Sequence, residues 1–328
     1  MKAFVTGATG FIGASIVREL LKDGCEVRVL ARPGSDRRNL EGLDIEVWEG
    51  DLSDRGSLIK GLAGCQTLFH AAADYRLWTR NPASMYEANV GGTRTILAAA
   101  LAAGLEKVVY TSSVGTLGNP GDGTPGTEST PVEFDQMVGD YKKSKFLAER
   151  AAEEFLPQGL PLIIVNPSTP VGPRDIKPTP TGKIVVDFLN RKMPAYLDTG
   201  LNILDVEDCA RGHILAAQKG KVGEKYILGN ENLTLAQIFA ILSEITGLRG
   251  PLVKLPYRPI LWAAYLNEGI SALTGNEPLI PLAGVQMAAK FMFFDSSKAA
   301  TELGLPRRPV KESLERAVAW FRSHDYAR

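Results

Sequence analysis

The sequence of 328 residues has few cysteines and no excess of charge of either sign. Its three cysteines, Cys25, Cys65 and Cys209, are far apart, and none belongs to a Cys-x-x-Cys or Cys/His cluster. This spacing argues against a disulfide framework and a zinc site, so we expect no bound metal. The 37 basic and 37 acidic side chains cancel, whereas a dedicated nucleic-acid binder would carry a basic excess. Nucleic acid is therefore not an expected partner.

Long apolar runs are also missing. The longest, at 259–274, is shorter than the roughly 20 residues of a membrane span and carries Glu268. The first ten residues, MKAFVTGATG, lack the apolar stretch of an export signal. We therefore expect no membrane span and a cytoplasmic location. Apolar residues make up 45% of the chain, which is enough for a buried core.

Short β-rich runs alternate with longer helical stretches over the first 165 residues, which is typical of a parallel sheet with helices on both faces. The pattern predicts an α/β protein with a Rossmann-like, doubly wound parallel sheet. Strands are predicted at 2–6, 26–30, 45–48, 67–70, 107–110 and 162–165, and helices at 11–22, 54–61, 82–103 and 141–155.

A segment rich in proline and glycine, at 167–182, predicts a loop and a domain edge. We expect residues 1–170 to form the Rossmann domain, with residues from about 204 to 230 returning to it. Residues 171–328 are expected to form a smaller, mostly helical substrate-binding or lid region. In this part, helices are predicted at 183–191, 206–219, 235–246, 259–274 and 310–323, and a strand is predicted at 225–228.

Three glycines near the start of the chain predict a phosphate-binding turn. They lie between the first strand and the first helix, in the run TGATGFIG. Glycines at these places allow a tight turn, a close approach to a pyrophosphate and close contact of helix and strand. Because five more βα units follow, the context favours a dinucleotide site over a turn without a ligand. The predicted contacts in this run are Gly7, Thr9, Gly10, Phe11, Ile12 and Gly13.

Basic side chains follow the second strand, where an NAD site usually has an acidic residue that binds the ribose 2′-hydroxyl. This chain has Arg32 there, with Arg37 shortly after it. A guanidinium suits a 2′-phosphate, whereas a carboxylate would repel it. We therefore expect NADP(H) as the preferred cofactor and NAD(H) as the second option. The alternative is that both arginines are ordinary surface charges.

The ends of the third and fourth strands supply further cofactor contacts. Asp51, which is followed by Leu52, can accept a hydrogen bond from the adenine amino group, or it can cap the next helix. After the fourth strand, the small side chains of Ala71, Ala72 and Ala73 leave room for a ribose to lie across the backbone.

A serine and a Tyr/Lys pair predict proton-transfer chemistry. Ser113 follows the fifth strand, and Tyr141 and Lys145 are four residues apart on a predicted helix, so that both side chains lie on one face. A phenol has a pKa of about 10, and a neighbouring ammonium favours its ionised form. Both elements meet the glycine turn at the carboxyl edge of the sheet, where such folds bind their ligands.

These motifs resemble those of the extended short-chain dehydrogenases/reductases, in the NAD-dependent epimerase/dehydratase family. TGATGFIG matches the family's TGxxGxxG turn, TSS its serine region and YKKSK its YxxxK, and the resemblance covers nearly the whole chain. It implies that Tyr141 is the acid/base, that Lys145 lowers its pKa and holds the nicotinamide ribose, and that Ser113 polarises the substrate. It also implies that Asn89, in the segment NVGGT, supports the proton-relay helix.

The loop after the sixth strand separates two branches of the family. NPSTPVGP at 166–173 is similar to the NPxxVxGP run of dihydroflavonol 4-reductases, and it adds Pro167, Ser168 and Thr169 as cofactor contacts. This branch implies an NADP(H)-dependent oxidoreductase of a carbonyl or carbinol on a small or lipid-linked substrate. The chain also resembles bacterial hopanoid-associated sugar epimerases, and such an enzyme would oxidise and re-reduce one carbon of a nucleotide sugar or a hopanoid-linked sugar.

Residues after the fourth strand and in the proline-rich loop are candidates for the substrate pocket. They are Asp74, Tyr75, Trp78 and Arg174. Tyrosine and tryptophan suggest an apolar, ring-shaped or lipid-like partner, and simple packing between domains is the alternative. Members of the family often dimerise through the two long helices of the sheet domain. We therefore expect either a homodimer or a monomer.

Overall fold

The protein is described by a computed structural model that covers residues 1–327. Seven of its strands form one parallel sheet, in the order β10-β6-β5-β4-β1-β2-β3, and three others form a small sheet in the order β11-β9-β7. In chain order the strands are β1 (Lys2–Thr6), β2 (Glu26–Ala31), β3 (Glu46–Glu49), β4 (Thr67–His70), β5 (Lys107–Thr111), β6 (Leu162–Pro167), β7 (Thr169–Val171), β8 (Ala195–Leu197), β9 (Gly200–Asp205), β10 (Lys225–Leu228), β11 (Glu231–Thr234) and β12 (Val253–Leu255).

Helices cover both faces of the large sheet, which confirms the predicted Rossmann-like fold. The helices are α1 (Phe11–Lys22), α2 (Arg55–Leu62), α3 (Pro82–Tyr86), α4 (Gly92–Ala103), α5 (Gly139–Glu153), α6 (Pro180–Leu189), α7 (Val206–Lys219), α8 (Leu235–Thr246), α9 (Tyr257–Thr274), α10 (Leu282–Met287) and α11 (Val310–Ser323). No helix among residues 1–327 is both long enough and apolar enough to cross a membrane.

Alternation along the buried strands produces two separate cores. In β1, Ala3 and Val5 pack into the core beneath α1 and α7, whereas Phe4 packs into the core beneath α2, α4 and α5. Successive side chains of a strand point to opposite faces, so a strand covered on both sides is apolar throughout. This is why β1 and its neighbours read as continuous apolar runs rather than as alternating ones.

Two sequence predictions need correction. The helix predicted at 82–103 is divided into α3 and α4 by a π-helical turn at Glu87–Gly91. The segment 167–182, predicted as a loop, contains the short strand β7, and the C-terminal part contains β8, β9, β11 and β12 in addition to its helices. These strands have three to six residues, too few for apolar periodicity to be read from sequence.

The C-terminal residues have a core of their own and also return to the large sheet. The third core lies among α6, α8 and α11 and includes Phe188, Phe239 and Phe321. In contrast, α7 packs into the core beneath α1, and β10 pairs in parallel with β6. The division of the chain near residue 170 stays a prediction.

Candidate active site

The glycine turn is packed against the end of β4. Gly7 has a φ of +71°, and a β-carbon placed on it would lie 2.6 Å from the carbonyl carbon of Ala71 and the amide nitrogen of Ala72. A β-carbon on Gly13 would lie 2.2 Å from the carbonyl oxygen of Gly7. Only glycine fits both positions, because any side chain would collide with backbone. The turn therefore forms a narrow cradle beside two of the predicted alanines.

Polar groups at this cradle fit a ligand that offers phosphates and hydroxyls. Helix α1 begins after Gly10 without a side-chain cap, so its first N–H groups are available to an anion. The amide nitrogen of Asn39 donates to the carbonyl oxygen of Thr9 at 3.3 Å, while its buried Oδ1 has no partner among residues 1–327. At the end of β6, away from the cradle, the buried hydroxyl of Ser168 also has no partner among residues 1–327. The sequence predicted Ser168, whereas it gave no signal for Asn39.

Among the basic residues after β2, Arg32 differs from its neighbours. Arg37 forms an ion pair with Glu49, and Arg38 pairs with Asp36 at 2.7 Å. The exposed Arg32 has no carboxylate within 4.0 Å in the part of the chain that the structure describes. An unpaired guanidinium is free to bind a phosphate.

Asp51 and Leu52 have separate surroundings at the end of β3. The carboxylate of Asp51 accepts hydrogen bonds from the backbone N–H and the hydroxyl of Ser53, which lower its pKa, and Arg32 adds to this effect. Asp54, and not Asp51, caps α2 by accepting from the N–H of Ser57 at 2.9 Å. The side chain of Leu52 packs against the first residue of α4.

Ser113 and Tyr141 come together at the carboxyl end of β5. Ser113 follows this strand, and its Oγ accepts from the N–H of Gly115 at 3.0 Å. Burial raises the pKa of Tyr141 above its ordinary value of 10.0, and the nearby Ser113 hydroxyl partly offsets this. The two hydroxyls are therefore close enough to share a substrate oxygen.

Lys145 lies one helical turn further along α5 and is buried. Its ammonium donates to the hydroxyl of Tyr110 at 3.0 Å and to the carbonyl oxygen of Thr111 at 2.7 Å. Burial lowers the pKa of Lys145 to about 8, against an opposing effect of Glu149. In this arrangement the ammonium contacts the end of β5. That Lys145 lowers the pKa of Tyr141 stays a prediction.

Glu149 lies on the same face of α5 as Lys145 and forms hydrogen bonds with the segment around Ser113. Its Oε2 accepts hydrogen bonds from the hydroxyls of Ser112 and Thr116 and from the amide of Asn166. The Asn166 amide also donates to the carbonyl oxygen of Ser113 at 3.1 Å. Sequence reasoning missed Glu149, although its i+4 spacing from Lys145 was a usable signal.

Asn89 lies in the π-helical turn and joins two loops of the site. Its Oδ1 accepts from the N–H of Asp74 at 2.7 Å. Its Nδ2 donates to the carbonyl oxygen of Asp74 and to the hydroxyl of Ser144, both at 2.9 Å. These three hydrogen bonds join the β4 loop to α5, which fits the predicted role of Asn89 in supporting the proton-relay helix.

The four predicted substrate residues have different partners, and their role toward substrate stays a prediction. Asp74 is paired with Arg76, and the hydroxyl of Tyr75 donates to the carbonyl oxygen of Lys177 at 3.3 Å. Trp78 is half-buried. Arg174, which has a φ of +72°, is held through its carbonyl oxygen by Asn39, so it lies beside the glycine turn.

The segment after β6 runs along the sheet edge. Pro167 ends β6 opposite Leu228 of β10, Ser168 donates its N–H to the carbonyl oxygen of Leu228 at 2.9 Å, and Thr169 begins β7. These predicted cofactor contacts therefore occupy the same carboxyl edge as Ser113.

Ala283 and Met292 form a roof over the start of α5. Both belong to the C-terminal part, which the sequence predicts to be a substrate-binding or lid region. Ala283 in α10 packs against Gly139, two residues before Tyr141. The ammonium of Lys142 lies 3.7 Å from the sulfur of Met292. Burial lowers the pKa of Lys142 to about 8, and repulsion from Lys290 contributes to this shift. The roof thus brings basic and apolar groups beside the phenol.

Comparison with known proteins agrees with this arrangement. A sequence model of the NAD dependent epimerase/dehydratase family matches residues 3–229. A Synechocystis protein that is provisionally named a dihydroflavonol 4-reductase is 49% identical over 329 residues, covering 99% of this chain and 96% of the relative. Sterol demethylase protein B of Methylococcus capsulatus is 33% identical over 324 residues, covering 98% of each.

A solved structure extends the likeness to three dimensions. The crystal structure of gox2253 has 48% sequence identity and a TM-score of 0.90, covering 99% of each chain. The matched family covers the cradle, Ser113 and the Tyr141 helix. The chain therefore belongs to the NAD dependent epimerase/dehydratase family and is an NAD(P)-dependent enzyme of the extended short-chain dehydrogenase/reductase type.

Proposed function

We propose that the protein is an NADP(H)-dependent reductase of a carbonyl group, and that it also runs the reverse oxidation. The observation that carries the proposal is the meeting of Ser113 and Tyr141 at the sheet edge, next to the Gly7 cradle. When bound, the nicotinamide supplies or accepts the hydride. The residues of this chain then have to orient the substrate oxygen and move one proton.

The proton steps follow from the positions of three side chains. Ser113 donates a hydrogen bond to the substrate oxygen, and Tyr141 gives that oxygen its proton during reduction and removes it during oxidation. Lys145 is a buried cation that can hold ribose hydroxyls and favour the phenolate electrostatically. Glu149 and Asn89 hold the segment around Ser113 and α5 in position, and neither is assigned a contact with substrate.

The unpaired Arg32 supports NADP(H) over NAD(H). A 2′-phosphate would lie beside this guanidinium, while Arg37 is already engaged by Glu49. Asp51, Leu52, the alanines at 71–73 and residues 167–169 would complete the cofactor contacts. Residues 1–170 and the returning segment would hold the cofactor, and residues 171–328 would close over the substrate.

A small or lipid-linked ketone is the substrate class that we infer. Support comes from the 166–173 loop, from Tyr75 and Trp78 after β4, and from the relatives named for a dihydroflavonol and a sterol. A sugar epimerase is the second candidate, because the family description includes epimerases. We further infer a cytoplasmic location, and a homodimer through α4 and α5, where Leu147 is exposed.

The cofactor balance distinguishes the two candidates. The protein is incubated with NADPH and with a panel that contains a dihydroflavonol, a sterol ketone, an isoprenoid ketone and a nucleotide sugar, while NADPH absorbance and products are followed together. A reductase consumes one NADPH for each alcohol formed. Product that appears from a sugar substrate without net NADPH loss would support the epimerase instead.

A tyrosine variant tests the mechanism on any substrate so found. Tyr141→Phe should lower kcat by roughly 10²- to 10⁴-fold, because the proton donor is lost. Tyr196→Phe, in the C-terminal region, is the matched control and should retain activity. Unchanged turnover by Tyr141→Phe would contradict the assigned chemistry.

A further inference from the structure

Helix α9 has an outward face that is almost entirely apolar. Trp262, Leu266, Ile270 and Leu273 recur at helical spacing, and their exposed fractions are 72%, 70%, 58% and 90%. A helix on the surface of a globular protein normally presents polar residues outward. Only Ala264 and Ser271 of this helix are buried. The four large apolar side chains of this face are therefore exposed, while the two buried positions of the helix carry small side chains.

Further exposed apolar residues flank α9 along the chain. Leu252 and Val253 precede the helix, and Leu279 follows it; all three are exposed. Single exposed apolar residues are common, but a contiguous patch marks a binding surface. We call residues 252–279 the α9 surface.

Unpaired cations surround the α9 surface. Arg249 and Arg258 lie at its start, and Arg80 lies against Gly275 at its end. Arg191 and Arg249 line an adjoining cavity of about 700 Å³ together with Leu252 and Val253. None of these four arginines has a carboxylate within 4.0 Å among residues 1–327. The acidic residues of the surface are Glu268 and Glu277.

The same helix is coupled to the roof of the active site. The amide of Gln286 in α10 donates to the hydroxyl of Tyr265 in α9 at 3.3 Å. The N–H of Ile280, between the two helices, donates to Asn267 at 3.0 Å. Since α10 packs against Gly139 beside Tyr141, one helical hairpin has its outer side at the α9 surface and its inner side at the site.

We propose that the α9 surface docks on the face of a lipid bilayer that contains anionic phospholipids. Leucine and isoleucine side chains would enter the acyl boundary, tryptophan and tyrosine would lie at headgroup depth, and the four arginines would face phosphates. A second copy fits less well, because a two-fold contact would bring two sets of unpaired arginines to one interface with few acids to pair them. Docking would place the entrance of the site next to lipid.

Vesicle binding tests the proposal without any turnover. The full chain is mixed with vesicles of phosphatidylcholine and phosphatidylglycerol, and with vesicles of phosphatidylcholine alone, and the bound fraction is measured by co-sedimentation. We expect binding to the mixed vesicles, with weaker binding in high salt. The emission of Trp262 should shift to the blue on binding, and Trp262→Phe should remove that shift.

Charge variants distinguish insertion of apolar side chains into the bilayer from nonspecific binding to vesicles. Leu266→Asp should weaken binding to mixed vesicles by roughly tenfold to a hundredfold, the loss expected for one leucine that no longer leaves water. Arg258→Glu should weaken binding to the mixed vesicles but not to neutral ones. Val222→Asp, at another exposed apolar residue, is the matched control and should bind as the unchanged protein does. Circular dichroism verifies that each variant is folded.

Two results would overturn the proposal. The first is failure of the folded full-length protein to bind the mixed vesicles at low salt. The second is a change of molar mass in Leu266→Asp, measured by light scattering, with vesicle binding unaltered; this would assign the α9 surface to a second copy. Because neither measurement uses substrate, the outcome does not depend on the proposed reductase activity.

Discussion

Asp175, in the loop between β7 and α6, places a carboxyl group in the protein interior. Its side chain is buried; Oδ2 accepts from the N–H and the hydroxyl of Thr179, both at 2.8 Å, while Oδ1 has no partner among residues 1–327. Burial raises its pKa from 3.8 to about 6, against the effect of those hydrogen bonds. The ionised carboxylate is therefore a cost to the folded state at neutral pH.

We predict that Asp175→Asn stabilises the protein in a pH-dependent way. The folded state binds the proton more tightly than the unfolded state, so the stability of the unchanged protein falls as pH rises from 3.8 to about 6. Asparagine can still accept from Thr179 but never ionises. The gain should grow across this window and level off above it at about 3 kcal/mol or less. Urea unfolding at a series of pH values measures it.

A surface aspartate provides the comparison for this prediction. Asp44 is exposed, and Asp44→Asn is measured in parallel as the control for removal of a surface carboxylate. A gain in Asp175→Asn that is equal at acidic and neutral pH would contradict the assignment of a raised pKa.

Arg32 provides a second prediction at this scale. Arg32→Asp should raise the KM for NADPH by roughly a hundredfold, because a charged hydrogen bond is lost and a repulsive charge is added. The KM for NADH should change much less. Steady-state kinetics with both cofactors measures the ratio, and Arg38→Asp, at a side chain already paired with Asp36, is the control. Equal effects of Arg32→Asp on both cofactors would refute the phosphate contact.

Single residues differ in how readily they can be predicted from the sequence. The glycine turn, Ser113 and the Tyr141/Lys145 pair could be predicted because each chemistry needs certain residue types at a fixed spacing. Asn39 could not, since its contact comes from a residue distant along the chain. Glu149 was missed although it lies four residues after Lys145, because its partners Thr116 and Asn166 are distant in sequence. Lys142 is adjacent to the phenol in sequence, yet only the fold brings Met292 over it.

At the scale of elements, the π-helical turn at Glu87–Gly91 is the main departure from the predicted helices. Such turns widen a helix by one residue and often occur at functional sites. Here the turn contains Asn89, whose amide reaches both the β4 loop and α5. Apolar periodicity through 82–103 resembles one long helix, so a one-residue insertion in its middle leaves no clear sequence signal.

We predict that Asn89→Ala uncouples these elements. Three hydrogen bonds would be lost and buried partners left unsatisfied, which costs about 2–4 kcal/mol of unfolding free energy. The kcat should decrease by a larger factor than the KM for the cofactor changes, because the substitution acts through the position of α5. Urea unfolding and steady-state kinetics measure the two effects.

Thr95→Ala serves as the control for the turn. The Thr95 hydroxyl donates only to the backbone carbonyl of Gly91, at 2.9 Å, so its loss should cost below about 1 kcal/mol. If both variants had the same small effect, Asn89 would not position the helix.

At the scale of the whole molecule, the large sheet depends on the C-terminal half. β10 completes the sheet next to β6, and Cys209 and Ile214 of α7 share a core with Ile16 and Leu20 of α1. The parallel sheet itself was predictable, since buried strands separated by helices leave few other topologies. The small sheet of β11, β9 and β7 was not, because its pairing joins short strands across helices.

We predict that a fragment of residues 1–170 does not fold cooperatively. Without α7 the apolar face of α1 would be exposed to water, and the edge of β6 would be unpaired. A fragment of residues 1–230, which restores both elements, should be more stable than the shorter one. Urea denaturation of the two fragments, followed by circular dichroism, makes the comparison. A cooperative transition in the 1–170 fragment would refute this dependence.

The packing of α1 against α7 also has a consequence for synthesis. The two helices are nearly 200 residues apart in the chain, counting from Ile16 to Ile214. At a translation rate of about 5–20 residues per second, roughly 10–40 seconds pass between their emergence from the ribosome. During that interval the apolar side chains of α1 that later contact α7 lack this partner, so the growing chain offers chaperones a defined, time-limited target.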